Sequence, residues 1–412
     1  MVELCVGRVS NQEVSSEAIS FLGIQSTHDP LWPRLTSLRL TNGLGWDAVA
    51  STLAFLSSRI TRLTLILPRD NNILFRPIFS VASDRCHQLQ ELMLDIVAND
   101  SHSINGVGGL ISACQDTLRT LHIISPTDAG YIPIIANLPH LRSLTLQTAH
   151  FPRILPPNAF PSLEEVVILH FRGQPLYYFF ERLCTTDLKV VRVTGARAIT
   201  TFKNAIAALS RSSASLRVLT ISPVANIDLP RVVIPHLLFT NLRVLKVGCS
   251  DRGDGILGRC AFRPTDQAIV ELGAAIPNIT HLTLGSPACL DLHCVTFLSL
   301  VSLSTTCQDL ETLVIKVDLQ TMVTPSPRED EGVEPGATSG TTHGSARRLR
   351  TLAVGCSTLP EHPEAGWVVA IGLGKIFPSL YEVVGVGTNW VEWQSVGRNI
   401  RMSRQILRAV QP

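Results

Sequence analysis

Leu138-Pro139-His140-Leu141-Arg142-Ser143-Leu144-Thr145-Leu146 contains the unit from which the chain is built. Its last six residues read as a Leu, two variable residues, an aliphatic, one variable residue and a second aliphatic. Leu144 and Leu146 lie two apart, so on a strand they share one face while Ser143 and Thr145 turn to the other. The pattern occurs upstream as Leu35-Leu38-Leu40, Ile60-Leu63-Leu65, Leu89-Leu92-Leu94 and Leu118-Leu121-Ile123. Downstream it continues as Leu163-Val166-Ile168, Leu188-Val191-Val193, Leu216-Leu219-Ile221, Leu242-Leu245-Val247, Ile279-Leu282-Leu284, Leu310-Leu313-Ile315 and Leu349-Leu352-Val354. A weaker copy starts at Leu380 with Val383 and has Gly385 in the third slot. Successive copies begin as close together as Leu141 and Leu163 and as far apart as Leu310 and Leu349. One match means little in a Leu-rich chain, but a regular succession over the whole length means an internal repeat.

Each predicted strand is too short to bury much alone. Stacking neighbours gives a parallel sheet with a continuous Leu/Ile/Val core. Between the strands, residues 47–59, 107–116, 176–184, 199–211, 266–276 and 295–306 carry apolar residues at three- and four-residue spacing and are expected to be helices. Residues 151–159 and 223–235 hold too much Pro for a full helix and are expected to run extended. The fold class that follows is an α/β solenoid, a horseshoe with parallel strands on the concave face and helices or extended segments on the convex face. Residues 1–30 read as an N-terminal cap or remnant, 31–395 as an array of about 12–13 repeats, and 396–412 as a tail. Within the array, residues 324–347 (TPSPREDEGVEPGATSGTTHGSAR) combine Pro, Gly, Ser, Thr and a short acidic cluster and read as an inserted loop.

Composition narrows the function classes. Of 412 residues 45% are hydrophobic and 17% charged, which supplies a long core and argues against global disorder. Lys and Arg total 35 against 33 Asp and Glu, so the net charge is +2 and no strong field points to nucleic acid or an acidic membrane. The N-terminal stretch lacks a signal-peptide core, and no apolar run reaches the roughly 18–20 residues that span a bilayer. The 10 cysteines are scattered without a CxxC pair and read as small buried side chains in a reducing compartment, cytoplasmic or nuclear.

Enzyme-like patterns are weak. Gly253-Asp254-Gly255-Ile256-Leu257-Gly258 matches the dinucleotide-loop spacing, but Arg259 to Pro264 is a poor helix start. Cys289, His293 and Cys294 lack the second pair a tetrahedral zinc site needs. Asn278-Ile279-Thr280 fits a glycosylation acceptor, yet Ile279 is a repeat core position. The chain has neither G-x-S-x-G nor H-E-x-x-H. No catalytic residue, cofactor or metal is therefore expected, and the chain reads as a non-enzyme. A protein partner is expected on the outward strand positions: Arg39, Arg62, Glu91, Met93, Asp95, His122, Gln147, Arg192, Lys246, His281 and Lys316. Arg119, Arg142, Lys189, Arg217, Arg243 and Arg350 occupy one repeat position, read first as a common Leu-Arg opening of such repeats and only alternatively as a basic ridge.

The blocks LPHLRSLTL, SASLRVLTI, FTNLRVLKV and ARRLRTLAV resemble leucine-rich repeats of the irregular cytosolic kind, as carried by F-box proteins. The closing block FPSLYEVVGVGTNWVEWQSV is similar to the C-terminal part of large fungal sets of such proteins. The resemblance implies a substrate-recognition subunit of a Skp–cullin–F-box ubiquitin ligase, with a Skp-type adaptor and cullin as partners if an F-box lies upstream. Two departures stand out. Residues 1–34 lack the Leu-Pro start and helical pattern of an F-box. The family's Asn after each strand is mostly missing, with Gly43, Pro68, Pro126 and Pro287 in that slot. The alternative is a stand-alone scaffold or regulatory inhibitor.

Overall fold

The computed structural model describes residues 2–6, 34–40, 53–66, 75–95, 101–124, 130–147, 155–169, 176–183, 187–195, 199–210, 214–222, 239–248, 264–285, 295–319, 348–355, 357, 359, 364–385 and 390–410. The chain divides into two compact units, residues 1–193 and 194–412.

The strands of the first unit are β1 (Val2–Val6), β2 (Leu35–Leu40), β3 (Arg62–Ile66), β4 (Glu91–Asp95), β5 (Thr120–Ile124), β6 (Ser143–Gln147), β7 (Glu165–Leu169) and β8 (Val190–Thr194). Within the unit each strand from β1 to β7 pairs in parallel with the next. In the second unit β9 (Val218–Ser222), β10 (Val244–Val247), β11 (His281–Leu284), β12 (Val295–Thr296), β13 (Thr312–Ile315), β14 (Val317–Asp318), β15 (Thr351–Gly355) and β16 (Glu382–Gly385) follow. There β9, β10, β11, β13, β15 and β16 pair in parallel in that order, and β12 pairs with β14.

Helices α1 (Phe75–Arg85), α2 (Ser101–Ala113), α3 (Ile132–Ala136) and α4 (Leu176–Arg182) belong to the first unit. Helices α5 (Ile199–Leu209), α6 (Asp266–Ala275), α7 (Phe297–Thr306), α8 (Ala365–Ile376) and α9 (Trp390–Val410) belong to the second. Strand–helix repeats with a parallel ladder of LxxLxL strands define a leucine-rich-repeat solenoid fold.

The register explains why the pattern is kept. Leu63 aligns with Leu92, Leu121 and Leu144, and Leu65 with Leu94, Ile123 and Leu146. All of these side chains are buried, at no more than 1% exposure, so each aliphatic slot is a column of one continuous core. Truncating one such Leu to Ala in a packed core costs about 2–5 kcal/mol.

A backbone seam holds the turns together just before the strands. The carbonyl of Thr61 accepts from Gln90 N (2.8 Å) and Glu91 N (3.0 Å), and that of Gln90 from Arg119 N (2.8 Å) and Thr120 N (2.9 Å). The same two-donor arrangement recurs at Glu311, which accepts from Arg350 N (2.9 Å) and Thr351 N (3.2 Å).

Several expectations need correction. Val295 and Thr296 are a short strand rather than the start of a helix, and Thr296 is the N-cap of α7, accepting from Leu298 N. A β-branched Thr with a side-chain acceptor suits a cap better than a helix interior. Of residues 47–59, the described part 53–59 forms only a 3₁₀ turn over Leu53–Phe55, where Ser57 and Ser58 favour turns over continued helix. In the proline-rich stretch, residues 155–159 are turn and bridge, with Ala159 paired to Leu183. Buried Phe160 follows at a φ of 59°, its ring 5.2 Å from that of Phe179.

Four helices appear where the sequence suggested none: α1, α3, α8 and α9. Pro77 sits in the first turn of α1, where a missing N–H is tolerated. Helix α9 runs without interruption through residues 395 and 396, where the sequence suggests a change from array to tail. Residues 223–235 and the insertion 324–347 lie outside the described residues.

Candidate partner-binding face

Alternate strand residues turn away from the core and form rows across each unit. In the first unit one row runs Ser37, Arg62, Glu91, Thr120, Ser143, Glu165 and Val190. A second runs Arg39, Thr64, Met93, His122, Thr145, Val167 and Arg192, and a third holds Ile66, Asp95, Ile124, Gln147 and Leu169. In the second unit Val218, Val244, His281, Thr312, Thr351 and Glu382 form one row, and Thr220, Lys246, Thr283, Val314, Ala353 and Val384 the next. Lys316 follows directly on β13.

All eleven residues expected to meet a partner lie on strands or directly beside one, and all are half-buried or exposed. The structure does not bring them into one cluster. Arg39, Met93, His122 and Arg192 share a row, Arg62 and Glu91 are neighbours in another, and Asp95 and Gln147 belong to the third. Lys246, His281 and Lys316 belong to the second unit. Sequence reasoning missed the apolar members Ile66, Ile124, Val167 and Leu169, half-buried between polar neighbours. Their signal was present, since each stands directly before or directly after the third aliphatic of a repeat.

Charges on the first unit's face are largely engaged with one another. Arg62 pairs with Glu91 at 2.9 Å and Arg192 with Glu165 at 2.9 Å, and the Ser143 hydroxyl donates to Glu165 at 3.3 Å. One position earlier, Glu164 takes Lys189 at 2.6 Å and Arg142 at 3.7 Å. The Lys189 hydrogen bond chiefly holds the Glu164 carboxyl below its ordinary pKa, against burial, and the charges of Lys189 and Arg142 add smaller lowering effects.

That chain, together with Gln90, Thr280 and Glu311 at equivalent positions, breaks up the basic ridge suggested by the sequence. Arg243 is likewise occupied, donating to Asn278 O at 3.0 Å and lying 3.6 Å from Asp309. A shallow depression of about 370 Å³ beside the ridge is lined by Thr117, Arg119, His140, Arg142, Ser162 and Glu164, among others.

His122 differs from its neighbours. Its Nε2 is buried with no hydrogen-bond partner, and burial lowers its pKa against the raising influence of Asp95. The imidazole is therefore held toward its neutral form.

The missing asparagine ladder has a substitute. The residue just before the first repeat aliphatic bonds to the preceding turn: Thr117 to Leu89 O (2.8 Å), Ser162 to Pro139 O (2.6 Å), Asn241 to Ala214 O (2.8 Å) and Asn278 to Thr240 O (3.0 Å). The Asn278 amide of the glycosylation pattern is thus part of an inter-repeat tie.

Cys86, Cys114 and Cys307 are free and buried, as their apolar reading anticipated. Burial, with a smaller effect of neighbouring Cys114, pushes the Cys86 thiol up to about 12, and burial pushes Cys114 to about 11. Such thiols are poor nucleophiles. The Cys114 thiol donates to Cys86 O at 3.2 Å. Among the described residues no group of three or more His, Cys, Asp or Glu could hold a metal, and no helix is long and apolar enough to cross a membrane. The glycine loop 253–258, Cys289, His293 and Cys294, and the turn residues Gly43, Pro68, Pro126 and Pro287 lie outside the described residues.

No protein-family model matches the chain, and no curated protein matches it. Among solved structures it is similar to a chain of the Rad7–Elc1 complex of yeast, with 18% identity over 68% of this chain and 76% of that one, at a TM-score of 0.37. It is also similar to the leucine-rich repeat-containing protein LegL7 from Legionella pneumophila, with 11% identity over 97% of both chains and a TM-score of 0.34. The repeat architecture stands on the strand register and the core columns of the chain itself.

Proposed function

We propose that the chain is a protein-binding scaffold that holds a target on the outward face of its strands. The observation that carries this reading is the ordered field of outward rows. Arg39, Met93, His122, Lys246 and His281 stand there among half-buried Ile, Leu and Val, a mixture suited to protein recognition. The finer reading is a substrate-recognition subunit similar to F-box receptors of Skp–cullin–F-box ligases, supported by the repeat blocks and the closing block.

A second reading is a stand-alone scaffold or regulatory inhibitor, in which β1 (Val2–Val6), paired in parallel with β2, serves as part of the binding sheet.

Affinity purification of the full chain from its native cells, with mass spectrometry, separates the two. A Skp-type adaptor and cullin among the captured proteins supports the receptor reading, and capture of other proteins without them supports the second. The double substitution Arg39→Glu with Met93→Ala is expected to reduce capture of the main partner about tenfold without unfolding the chain, a difference of about 1.4 kcal/mol. Unchanged capture by that variant would remove the strand face as the binding site.

A further inference from the structure

The last strand and the C-terminal helix of the second unit enclose a cleft of about 520 Å³, lined among others by Glu382, Val384, Trp390, Gln394, Arg398 and Arg401. Its volume lies within the range of about 300–1,000 Å³ usual for ligand sites. Glu382 and Val384 are outward residues of β16, in register with Thr351 and Ala353 of β15, so the cleft opens on the strand face of that unit.

Helix α9 has two distinct stripes. Trp393, Val396 and Ile400 are buried at 0–1% exposure and fix the helix against the end of the array. Trp390, Gln394 and Arg398 follow at four-residue spacing, with Arg401 beside them, and all four are exposed.

The cleft combines three features. Trp390 is 49% exposed, neighbouring Tyr381 65% and Val384 36%, so a sizeable apolar area faces water. Arg401 lies over the Tyr381 ring at 5.6 Å, holding a guanidinium at the rim. Neither Arg398 nor Arg401 has a carboxylate within ion-pair distance among the described residues. The single carboxylate lining the cleft, Glu382, takes a hydrogen bond from Thr351 Oγ1 at 3.3 Å. Two unmatched guanidiniums against one occupied carboxylate leave the cleft complementary to negative charge. Trp, Tyr and Arg around a concavity are also the residue types that concentrate binding energy in protein interfaces.

We infer that this cleft is a peptide-docking site for an extended acidic segment of a partner protein, one carrying a carboxylate next to a bulky apolar side chain. The carboxylate pairs with Arg398 and Arg401 while the apolar side chain covers Trp390 and Val384. None of the residues expected to bind a partner from the sequence lies here, so the inference stands apart from the strand-face reading.

The test uses the full-length chain and a fluorescein-labelled, end-blocked peptide of Asp, Glu, Leu and Phe, with a counterpart in which Lys replaces each acid. Anisotropy titration is expected to show binding of the acidic peptide only, weakened at least about tenfold by Arg398→Glu with Arg401→Glu and also by Trp390→Ala. Gln394→Glu, which sets a carboxylate one helical turn before Arg398 but keeps both guanidiniums, is expected to weaken it less. Arg39→Glu with Met93→Ala is expected to leave it unchanged, which separates failure here from failure of the strand-face reading. Equal binding of the Lys peptide, no loss in the Arg variants, or stronger binding of a single-stranded oligonucleotide would overturn the inference. So would a dimer in light scattering that the Arg variants convert to monomer, since the occupant would then be a second copy.

Discussion

In residues 1–193 the charged bridges between repeats stand on or beside the outward face: Arg62 to Glu91, Arg192 to Glu165, and Arg142 and Lys189 to Glu164. In residues 194–412 Asp309 also bridges Arg243 at 3.6 Å and Arg348 at 3.0 Å beside the strands, but further polar ties lie behind the strands and at the end of the array. Asp266, at the start of α6, accepts from Thr296 N and Thr296 Oγ1, both at 2.8 Å, and from Ser299 Oγ, joining the first turns of α6 and α7. Ser357 accepts from Val317 N at 2.9 Å through its hydroxyl and from Trp393 Nε1 at 2.8 Å through its carbonyl. The difference shows that neighbouring repeats can be coupled on either side of the sheet, with opposite effects on the surface. Coupling on the face neutralises Arg62 and Arg192 there. Coupling behind it leaves Lys246 of the second unit and the cleft arginines Arg398 and Arg401 available to a ligand.

If the ties behind the strands are the stronger ones, removing them should have the larger effect. Trp393→Ala deletes a side chain at 0% exposure together with its hydrogen bond to Ser357, so a loss of about 3–5 kcal/mol is expected. Hydrogen exchange by mass spectrometry should show faster exchange in β15, β16 and α8 and no change in β3 to β6. Equal acceleration in both sets would mean that the two units do not respond separately.

Asp266→Ala should be next, at about 1–2 kcal/mol by urea denaturation, given hydrogen bonds to a charged but half-buried group. Burial by itself would raise the Asp266 pKa, but the bonds from Ser299 and Thr296 outweigh it and the carboxyl ends below its ordinary value of 3.8. A depressed carboxylate stabilises the fold fully above its unfolded pKa and loses that contribution as pH falls through the folded one. The gap between wild type and Asp266→Ala should therefore be constant near neutrality and close below about pH 4. A gap that widens on acidification would contradict this sign.

The smallest effect belongs to the face. Glu165→Gln removes the ion pair with Arg192, whose partners are 46% and 34% exposed, and about 0.2–1 kcal/mol is expected, shrinking with added salt. A loss larger than that of Asp266→Ala, unaffected by salt, would reverse the comparison.

The strands were legible because one rule, two aliphatics on the buried face after an earlier Leu or Ile, holds from repeat to repeat. The fault in the weak thirteenth copy has a physical origin. A Cβ at Gly385 would lie 2.5 Å from Trp393 Cδ1, so the indole of α9 occupies the space of the absent third aliphatic. That exchange joins positions in different elements, and periodicity within one repeat does not show it. β1 carried its own alternation, Val2, Leu4 and Val6, but no preceding repeat Leu to mark it. Helix α8 was hidden by composition: AGWVVAIGLGKI is apolar nearly all round with three glycines inside, so it has no stripe to read. For the candidate face, which residues point outward followed from strand parity. Which of them were already paired did not, because Arg62 and Glu91 sit in successive repeats and meet only through inter-strand register. The cleft needed the path of α9 across β16 and was not visible at all.

The carbonyl seam before the strands bears on how such a chain can change. Its bonds run from main chain to main chain, so the side chains there are free to differ, and they do: Thr61, Gln90, Arg119, Glu164 and Tyr381 all take part. Nor does the seam depend on how much chain separates two turns. Arg350 N reaches Glu311 O at 2.9 Å and Arg142 N reaches Arg119 O at 2.8 Å, although the first pair lies much further apart in sequence. Length and chemistry can thus vary between and along the repeats while the joint itself stays the same. The joint is a fixed hinge-line on which new loops and new surfaces can be tried one repeat at a time.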